Sequence, residues 1–219
     1  MQNKPLPPFG PYTIEEAMVP ILGDFIAAHR PARSLELGSG LSTIVLGYAI
    51  KEAGGRLDSL ENEKKHAEQA RGWVAEHALD DVATIHDAPI RNALVHWDGM
   101  AYPWYDLSVV PPGPYDFVFV DGPAGNLGLM ARWPAYYHLL PFLSEDARLI
   151  CDDGKRGHER LAIYHWMKND SRLHRTDLPT QRGAVLLERR AYARTKGERP
   201  SPADPHEAHT RQQVGVHGV

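Results

Sequence analysis

A glycine-rich turn with an acid in front of it is the stretch of this chain that most clearly suggests chemistry. Residues 33–37 are predicted to form a buried strand that runs straight into Gly-Ser-Gly at 38–40. Glycines permit a sharp turn and a close approach of a ligand, and ligands of open α/β sheets bind outside the carboxyl ends of the strands. Thr43 stands where a dinucleotide fingerprint has its third glycine. Glu36 suits a cationic amino-acid group better than a pyrophosphate, so the pattern disfavours a dehydrogenase.

Two further acids are predicted at the ends of the next strands. Glu61 closes a second strand, where a carboxylate can accept hydrogen bonds from both hydroxyls of a ribose. Asp87 follows a third strand, where a carboxylate or a neighbouring backbone group can meet an adenine edge. One such acid alone is usually a solvated surface charge. Since parallel strands end at the same edge of a sheet, the acids together predict a nucleoside site.

An alternation of strands and helices positions these residues. A first helix is predicted to begin near Thr13, which has capping-box spacing to Glu16; Pro20 either kinks this helix or marks its first turn. Further helices are predicted at 41–53, 63–78, 131–143 and 158–168, and strands at 33–37, 56–60, 82–86, 116–120, 148–151, 173–176 and 184–188. Such alternation predicts a doubly wound, mainly parallel α/β sheet, whose last two strands are close enough to form a hairpin.

The acids and glycines resemble the successive motifs of class I S-adenosylmethionine-dependent methyltransferases, over residues 12–189. The resemblance implies a Rossmann-like, seven-stranded, mostly parallel sheet with a C-terminal antiparallel hairpin, and S-adenosyl-L-methionine as cofactor. In related enzymes an N-terminal arm often covers the cofactor, which adds a tyrosine to the set. The cofactor-binding residues it implies are Tyr12, Glu36, Gly38, Ser39, Gly40, Ser42, Glu61, Asn62, Asp87, Ala88 and Asp121.

A metal site is implied by the same resemblance. Asp121 ends the fourth strand, Asp152 and Asp153 end the fifth, and these strands are neighbours about 5 Å apart in the family's sheet. Three carboxylates there would repel unless a cation joined them, and Mg²⁺ takes such oxygen ligands. The set resembles the metal triads of the macrocin and catechol O-methyltransferase groups. Pro123 stands where the macrocin group has an acidic base, so neither the base nor the metal follows directly.

Basic residues just after the fifth strand offer an alternative to a metal. Lys155 and Arg156 could neutralise Asp152 and Asp153 as ordinary ion pairs. The catalytic residues we predict from position are Asp121, Asp153, Lys155 and His158. Lys155 and His158 are the candidates for the general base, and a histidine suits that task because its ordinary pKa lies near neutrality.

Aromatic side chains suggest an acceptor. Residues 89–115 form a long predicted loop that contains a group of four aromatics. A second group, of three aromatics and the basic Arg132, follows Asp121-Gly122-Pro123, a motif similar to one in methyltransferases that act on polysaccharides. The two groups could stack on sugar rings, or they could pack a loop and a core; they are Trp97, Tyr102, Trp104 and Tyr105, and Arg132, Trp133, Tyr136 and Tyr137. The acceptor is therefore expected to be a small molecule or a glycan.

The composition is that of one globular domain. The chain has 219 residues, 42% of them hydrophobic and 24% charged, with a net charge of −4. We predict a single domain at 1–190, with an arm and helix at 1–30, and a disordered tail at 191–219. No basic face, apolar leader or membrane-length segment is evident, and Cys151 is the single cysteine. A cytoplasmic protein without nucleic-acid or membrane partners is expected, and a homodimer is left open.

Three functions follow in order of preference. The first is O-methylation of a hydroxyl on a small molecule or glycan, assisted by Mg²⁺ if the aspartates bind it. The second is an N-methyltransferase, or a metal-independent enzyme, on the same fold. The third is a catalytically silent protein that binds S-adenosylmethionine and interacts with a partner, which Pro123 keeps open.

Overall fold

The computed structural model describes residues 4–95, 100–128 and 130–190. The strands are β1 (Arg33–Leu37), β2 (Arg56–Glu61), β3 (Ala83–Asp87), β4 (Ile90–Val95), β5 (Met100–Tyr105), β6 (Tyr115–Val120), β7 (Leu143–Cys151), β8 (Leu173–Asp177) and β9 (Val185–Arg189). The helices are α1 (Met18–His29), α2 (Leu41–Ala53), α3 (Lys64–Glu76), α4 (Ala135–Leu139) and α5 (Gly157–Asn169).

Seven strands form the central sheet, in the order β3-β2-β1-β6-β7-β9-β8. The pairs from β3 to β7 are all parallel. Strand β9 runs antiparallel to both β7 and β8. The predicted fold class is therefore confirmed: a doubly wound, mostly parallel sheet with a C-terminal antiparallel hairpin.

Successive side chains of the strands belong alternately to two hydrophobic clusters, one on each face of the sheet. In β6, Phe117 and Phe119 join the cluster that contains α1, α2 and α3. Val118 and Val120 join the cluster that contains β5, α4 and α5. Burial on both faces explains the unbroken apolar sequence of this strand.

The segment 89–115, predicted as a loop, contains an antiparallel hairpin instead. Among the residues that the structure describes, strands β4 and β5 pair only with each other, so they form a second, two-stranded sheet. Trp104 and Tyr105 at the end of β5 are buried in the hydrophobic cluster of α4 and α5. Trp104 and Tyr105, two of the aromatic residues of this segment, therefore anchor the hairpin to the domain.

Two predicted helices differ from those observed. Helix α1 begins at Met18 rather than near Thr13, because the Thr13 hydroxyl hydrogen-bonds the Gly10 backbone instead of capping a helix. Pro20 lies in the first turn of α1, where no amide donor is needed. The helix predicted at 131–143 is reduced to α4, since Pro134 precedes it and Pro141 follows it.

Some predictions concern residues outside the described ranges, namely Trp97 and the tail at 191–219. Within those ranges, none of the helices has the length and apolar character needed to span a membrane.

Candidate active site

The predicted acids and glycines lie along one edge of the sheet, as the topology requires. Backbone hydrogen bonds align the residues that follow each parallel strand. The amide of Gly38 donates to Leu60 (2.9 Å) and that of Asp121 to Leu37 (3.1 Å). The amide of Asp152 donates to Val120 (3.0 Å) in the same way. The ends of β1, β2, β6 and β7 therefore form one continuous site.

The glycine turn is shaped for close backbone approach. Gly38 has φ +90°, and a Cβ there would lie 3.2 Å from the backbone of Gly122 in the neighbouring loop. Both constraints favour glycine at this position. The amide of Gly40 donates to the Thr43 hydroxyl at 2.9 Å, which holds the turn against the start of α2. Thr43, which in the sequence is notable only because it replaces the third glycine of a dinucleotide fingerprint, is thus part of the turn.

Glu36 lies beneath the turn and is fully buried. Its Oε2 accepts hydrogen bonds from the hydroxyls of Thr43 and Ser59, both at 2.6 Å. Burial raises the pKa of the Glu36 carboxyl to about 7, although these hydroxyls and that of Ser42 counteract the increase. In this conformation Glu36 supports the turn from inside, and it has no exposed surface with which to meet a cationic ligand.

Glu61 lies at the end of β2 and is only 6% exposed. Its Oε2 accepts a hydrogen bond from the Ser39 amide at 3.0 Å, and its Oε1 accepts one from the Glu63 amide at 2.9 Å. The carboxylate is therefore held firmly beside the glycine turn. This is the position from which it could accept hydrogen bonds from ribose hydroxyls.

The remaining predicted cofactor residues fall into two groups. The amide of buried Ala88 donates to the Glu61 carbonyl at 2.8 Å, and half-buried Asn62 follows Glu61 directly, so both lie at the site edge. Asp87 is exposed and pairs with Arg71 at 2.8 Å, on the side of α3. Tyr12 is 97% exposed, so it does not cover the site in this conformation.

Three carboxylates converge at the ends of β6 and β7. Asp121, Asp152 and Asp153 each offer an oxygen, and these three atoms lie within 4.8 Å of one another. Asp152 and Asp153 are 0% and 2% exposed. The cluster that the sequence predicted is therefore present.

The cluster also contains a cation that the sequence did not predict. Arg132, which is 5% exposed, places Nη2 3.0 Å from Asp121 Oδ1 and 3.3 Å from Asp153 Oδ2. Its Nη1 donates to the Asp152 carbonyl at 3.2 Å. Arg156 adds a second ion pair to Asp153, at 2.8 Å. The prediction that Arg156 neutralises this acid is correct, but the central guanidinium belongs to Arg132.

The charges of the cluster are only partly balanced. Both oxygens of Asp152 and Oδ1 of Asp153 are buried and have no hydrogen-bond partner among the described residues. Burial raises the pKa of the Asp121 carboxyl to about 7; Arg132 lowers it, and Asp152 and Asp153 raise it. Burial and the charge of Asp153 also raise the pKa of Asp152. These oxygens favour either a proton or a further cation.

A family model described as a methyltransferase domain matches residues 35–154, which span this turn and this cluster. The chain belongs to this methyltransferase family. The resemblance to class I S-adenosylmethionine-dependent methyltransferases is thereby confirmed.

Solved structures share the fold of this methyltransferase. Cofactor-bound Rv0187 from MTB has 22% identity and a TM-score of 0.63, with 82% of this chain and 83% of that chain covered. An O-methyltransferase from Bacillus cereus in complex with SAH has 20% identity and a TM-score of 0.60, with 82% and 83% covered. TomG, an O-methyltransferase of tomaymycin synthesis from Streptomyces achromogenes in complex with SAM, has 18% identity and a TM-score of 0.60, with 81% of each chain covered.

The two candidate bases of the methyltransferase have different surroundings. Lys155 Nζ donates to the carbonyls of Gln181 (2.9 Å) and Thr180 (3.4 Å), so it holds the loop before β9. His158 is exposed on the first turn of α5, where it lines a groove of about 240 Å³. His158 therefore lies where a ligand could approach it, whereas Lys155 is engaged with the loop before β9.

Most of the aromatic side chains that suggested a sugar-binding surface are core residues. Trp133 and Tyr136 are 3% and 1% exposed, and Tyr136 donates to Asp170 at 2.6 Å. Trp104 is fully buried and Tyr105 is 3% exposed. Tyr102 and Tyr137 are half-buried. For Trp104, Trp133 and Tyr136 the sequence left stacking on an acceptor and packing in the core open, and the structure shows packing in the core.

Proposed function

We propose that this methyltransferase transfers the methyl group of S-adenosylmethionine to a hydroxyl of a small molecule or glycan. The observation that carries the proposal is the Asp121, Asp152 and Asp153 cluster beside the glycine turn and Glu61. Two of the solved relatives are O-methyltransferases in complex with SAH and with SAM, which supports the cofactor and the acceptor atom.

The cofactor is proposed to lie across the glycine turn. Glu61 would accept hydrogen bonds from the ribose hydroxyls, with Asn62 and Ala88 beside it. The methionyl part would lie against the backbone of the turn, close to Asp121. The acidic character of this edge suits the positive sulfonium group.

The acceptor is proposed to enter through the groove next to α5. This groove of about 240 Å³ is lined by Gly125, Arg156, Gly157, His158 and Glu159, and its size suits a small ligand or one sugar unit. When bound, S-adenosylmethionine would supply the methyl group to the acceptor oxygen, with S-adenosylhomocysteine as the leaving group. His158 would take the hydroxyl proton. Holding oxygen, carbon and sulfur in line would supply much of the acceleration.

The carboxylate cluster fits a hard divalent cation. It offers only oxygen donors, and three of its buried oxygens lack a partner among the described residues. Asp121, Asp152 and Asp153 would hold Mg²⁺, which when bound lowers the pKa of a coordinated hydroxyl. The three oxygens already lie within 4.8 Å of one another.

A metal-independent enzyme is the second candidate, and Arg132 favours it. This guanidinium already bridges two of the three carboxylates. A fixed cation of this kind can balance the cluster without a metal.

Binding of S-adenosylhomocysteine tests the cofactor assignment. By titration calorimetry we expect micromolar affinity for the wild type and at least a tenfold loss for Glu61→Ala, since the ribose acceptor is removed. Glu63→Ala, two residues on and exposed, is the matched control and should bind normally. An unchanged affinity of Glu61→Ala would refute the ribose assignment. A wild type that bound no S-adenosylhomocysteine would refute the cofactor assignment.

Removal of the metal separates the two candidates. If Mg²⁺ binds the cluster, adding it should raise the melting temperature of the wild type, and Asp152→Asn should abolish that increase while retaining S-adenosylhomocysteine binding. Once an acceptor is found by screening hydroxyl compounds, activity should disappear in excess EDTA. Full activity in EDTA would establish the metal-independent enzyme.

A further inference from the structure

Tyr105 carries a buried hydroxyl that the free protein does not satisfy. The side chain is 3% exposed, and its Oη has no hydrogen-bond partner among the described residues. A buried donor left without a partner is costly and rare in folded proteins, and it usually has a functional explanation. The packing of the ring alone would be served equally well by phenylalanine.

The hydroxyl lies at the centre of the candidate active site. A Cβ added to Gly122 would overlap Tyr105 Oη, and the same Cβ would lie 2.9 Å from Gly38 Cα. Tyr105 Oη therefore reaches the point where the glycine turn meets the loop after β6. The charges that act on it belong to Glu61, Arg132, Asp121 and Glu36, which come from the ends of three different strands and from the cluster.

The hydroxyl is a donor rather than a base. Burial, followed by the nearby carboxylate of Glu61, raises the pKa of Tyr105 well above its ordinary value. It therefore stays protonated at physiological pH and offers one O–H bond. The hairpin fixes its position, because the ring of Trp104 packs edge-on against it at 5.3 Å and the Asp106 amide donates to the Pro89 carbonyl at 2.9 Å.

We propose that the Tyr105 hydroxyl donates a hydrogen bond to the bound cofactor, so that the β4–β5 hairpin contributes one wall of the cofactor site. This inference rests on the proposed function. S-adenosylmethionine carries ribose oxygens and a carboxylate that can accept such a bond, and its arrival would satisfy the donor once the loop after β6, which lies against Oη, makes room for it. No described protein group does so in the free enzyme.

Tyr105→Phe tests the proposal by deleting a single oxygen. Calorimetry with S-adenosylhomocysteine should show affinity reduced about five- to tenfold. The melting temperature of the free variant should be unchanged or higher, since an unsatisfied buried group has been removed. Tyr102→Phe, on the same strand and half-buried, is the control and should bind normally. Equal affinity of Tyr105→Phe and wild type, an equal loss in Tyr102→Phe, or a less stable free Tyr105→Phe protein would each overturn the proposal.

A measurement on the wild type needs no variant. With ¹³Cζ-labelled tyrosine, the Tyr105 resonance should shift when S-adenosylhomocysteine is added, because the hydroxyl gains an acceptor. An unmoved resonance during saturable binding would overturn the inference. If the wild type bound no S-adenosylhomocysteine, the proposed function itself would be refuted. That outcome can be distinguished from one in which the cofactor binds without contacting Tyr105.

Discussion

At the scale of the single residue, Glu36 shows how a charged side chain can support a site from inside. It is fully buried, and its partners are hydroxyls rather than cations. A carboxylate in such surroundings is costly to ionise, which is why its pKa is raised to about 7. The hydrogen bonds from Thr43 and Ser59 tie the glycine turn and β2 to β1.

The buried carboxyl gives the fold a pH dependence that can be measured. Its pKa is about 7 in the folded state and 4.5 in the reference state, so the folded protein holds the proton more tightly. The stabilisation is complete below about pH 4.5 and is lost as the pH rises to about 7. Glu36→Gln cannot ionise, so its melting temperature should change less between pH 5 and pH 8. The effect is at most about 3 kcal/mol.

Glu52→Gln is the matched control for this experiment, because Glu52 is exposed on α2. It should keep the wild-type pH profile. A Glu36→Gln profile identical to that of the wild type would show that Glu36 does not titrate in this range.

At the scale of the element, two glycines allow the site loops to approach one another. Gly122 follows β6 and packs against Gly38, with Tyr105 Oη against it. A side chain at Gly38 would crowd the β6 loop, and one at Gly122 would collide with both the glycine turn and Tyr105 of the β4–β5 hairpin. Three elements distant in sequence thus come together because both positions lack a Cβ.

Gly122→Ala should therefore disturb the site as a unit. We expect a loss of about 1–3 kcal/mol of folding free energy from overpacking, together with weaker S-adenosylhomocysteine binding. Thermal unfolding and calorimetry would measure both. Gly125 lies in the same loop, and an added Cβ there meets nothing within 4 Å. Gly125→Ala should therefore change neither the stability nor S-adenosylhomocysteine binding appreciably. If the two variants behaved alike, the close contact would not be what matters.

At the scale of the whole molecule, the N-terminal segment is hydrogen-bonded to the loop between β8 and β9, which is distant in sequence. The Glu15 carboxylate accepts hydrogen bonds from the amides of Gln181 and Arg182, both at 3.0 Å. The Arg182 guanidinium donates to the Thr13 carbonyl at 2.7 Å. The same loop also receives Lys155, so it connects the arm before α1 to the segment that follows β7.

Glu15→Ala should loosen this connection. Two backbone amides lose their acceptor, so we expect a loss of about 1 kcal/mol, or ~2–4 °C in melting temperature for a domain of this size. Hydrogen bonds from these amides lower the Glu15 pKa despite partial burial, so the stabilisation is lost as the pH falls through that lowered pKa. Glu16→Ala, next to it and exposed, should have little effect. Equal melting temperatures at pH 7 for Glu15→Ala and wild type would contradict this role.

The sequence by itself determined most of the elements of the central sheet and the edge of that sheet where the site lies. The strand 33–37 and the helix 41–53 were predicted with the bounds that the structure shows. The acids at 61 and 121 were placed correctly beside the glycine turn. These features are local, because apolar periodicity sets strands and helices, and parallel strands must end at one edge.

Only the tertiary structure decided which groups meet at that edge. Arg132 bridges two carboxylates from different strands, Tyr105 reaches the site through a hairpin that looked like a loop, and Tyr136 belongs to the core rather than to a sugar-binding surface. The physical reason is that a side chain's partners depend on what the fold packs over it. The packing decides whether an arginine serves as a counter-ion and whether an aromatic ring is exposed at the surface. No local sequence pattern encodes either outcome.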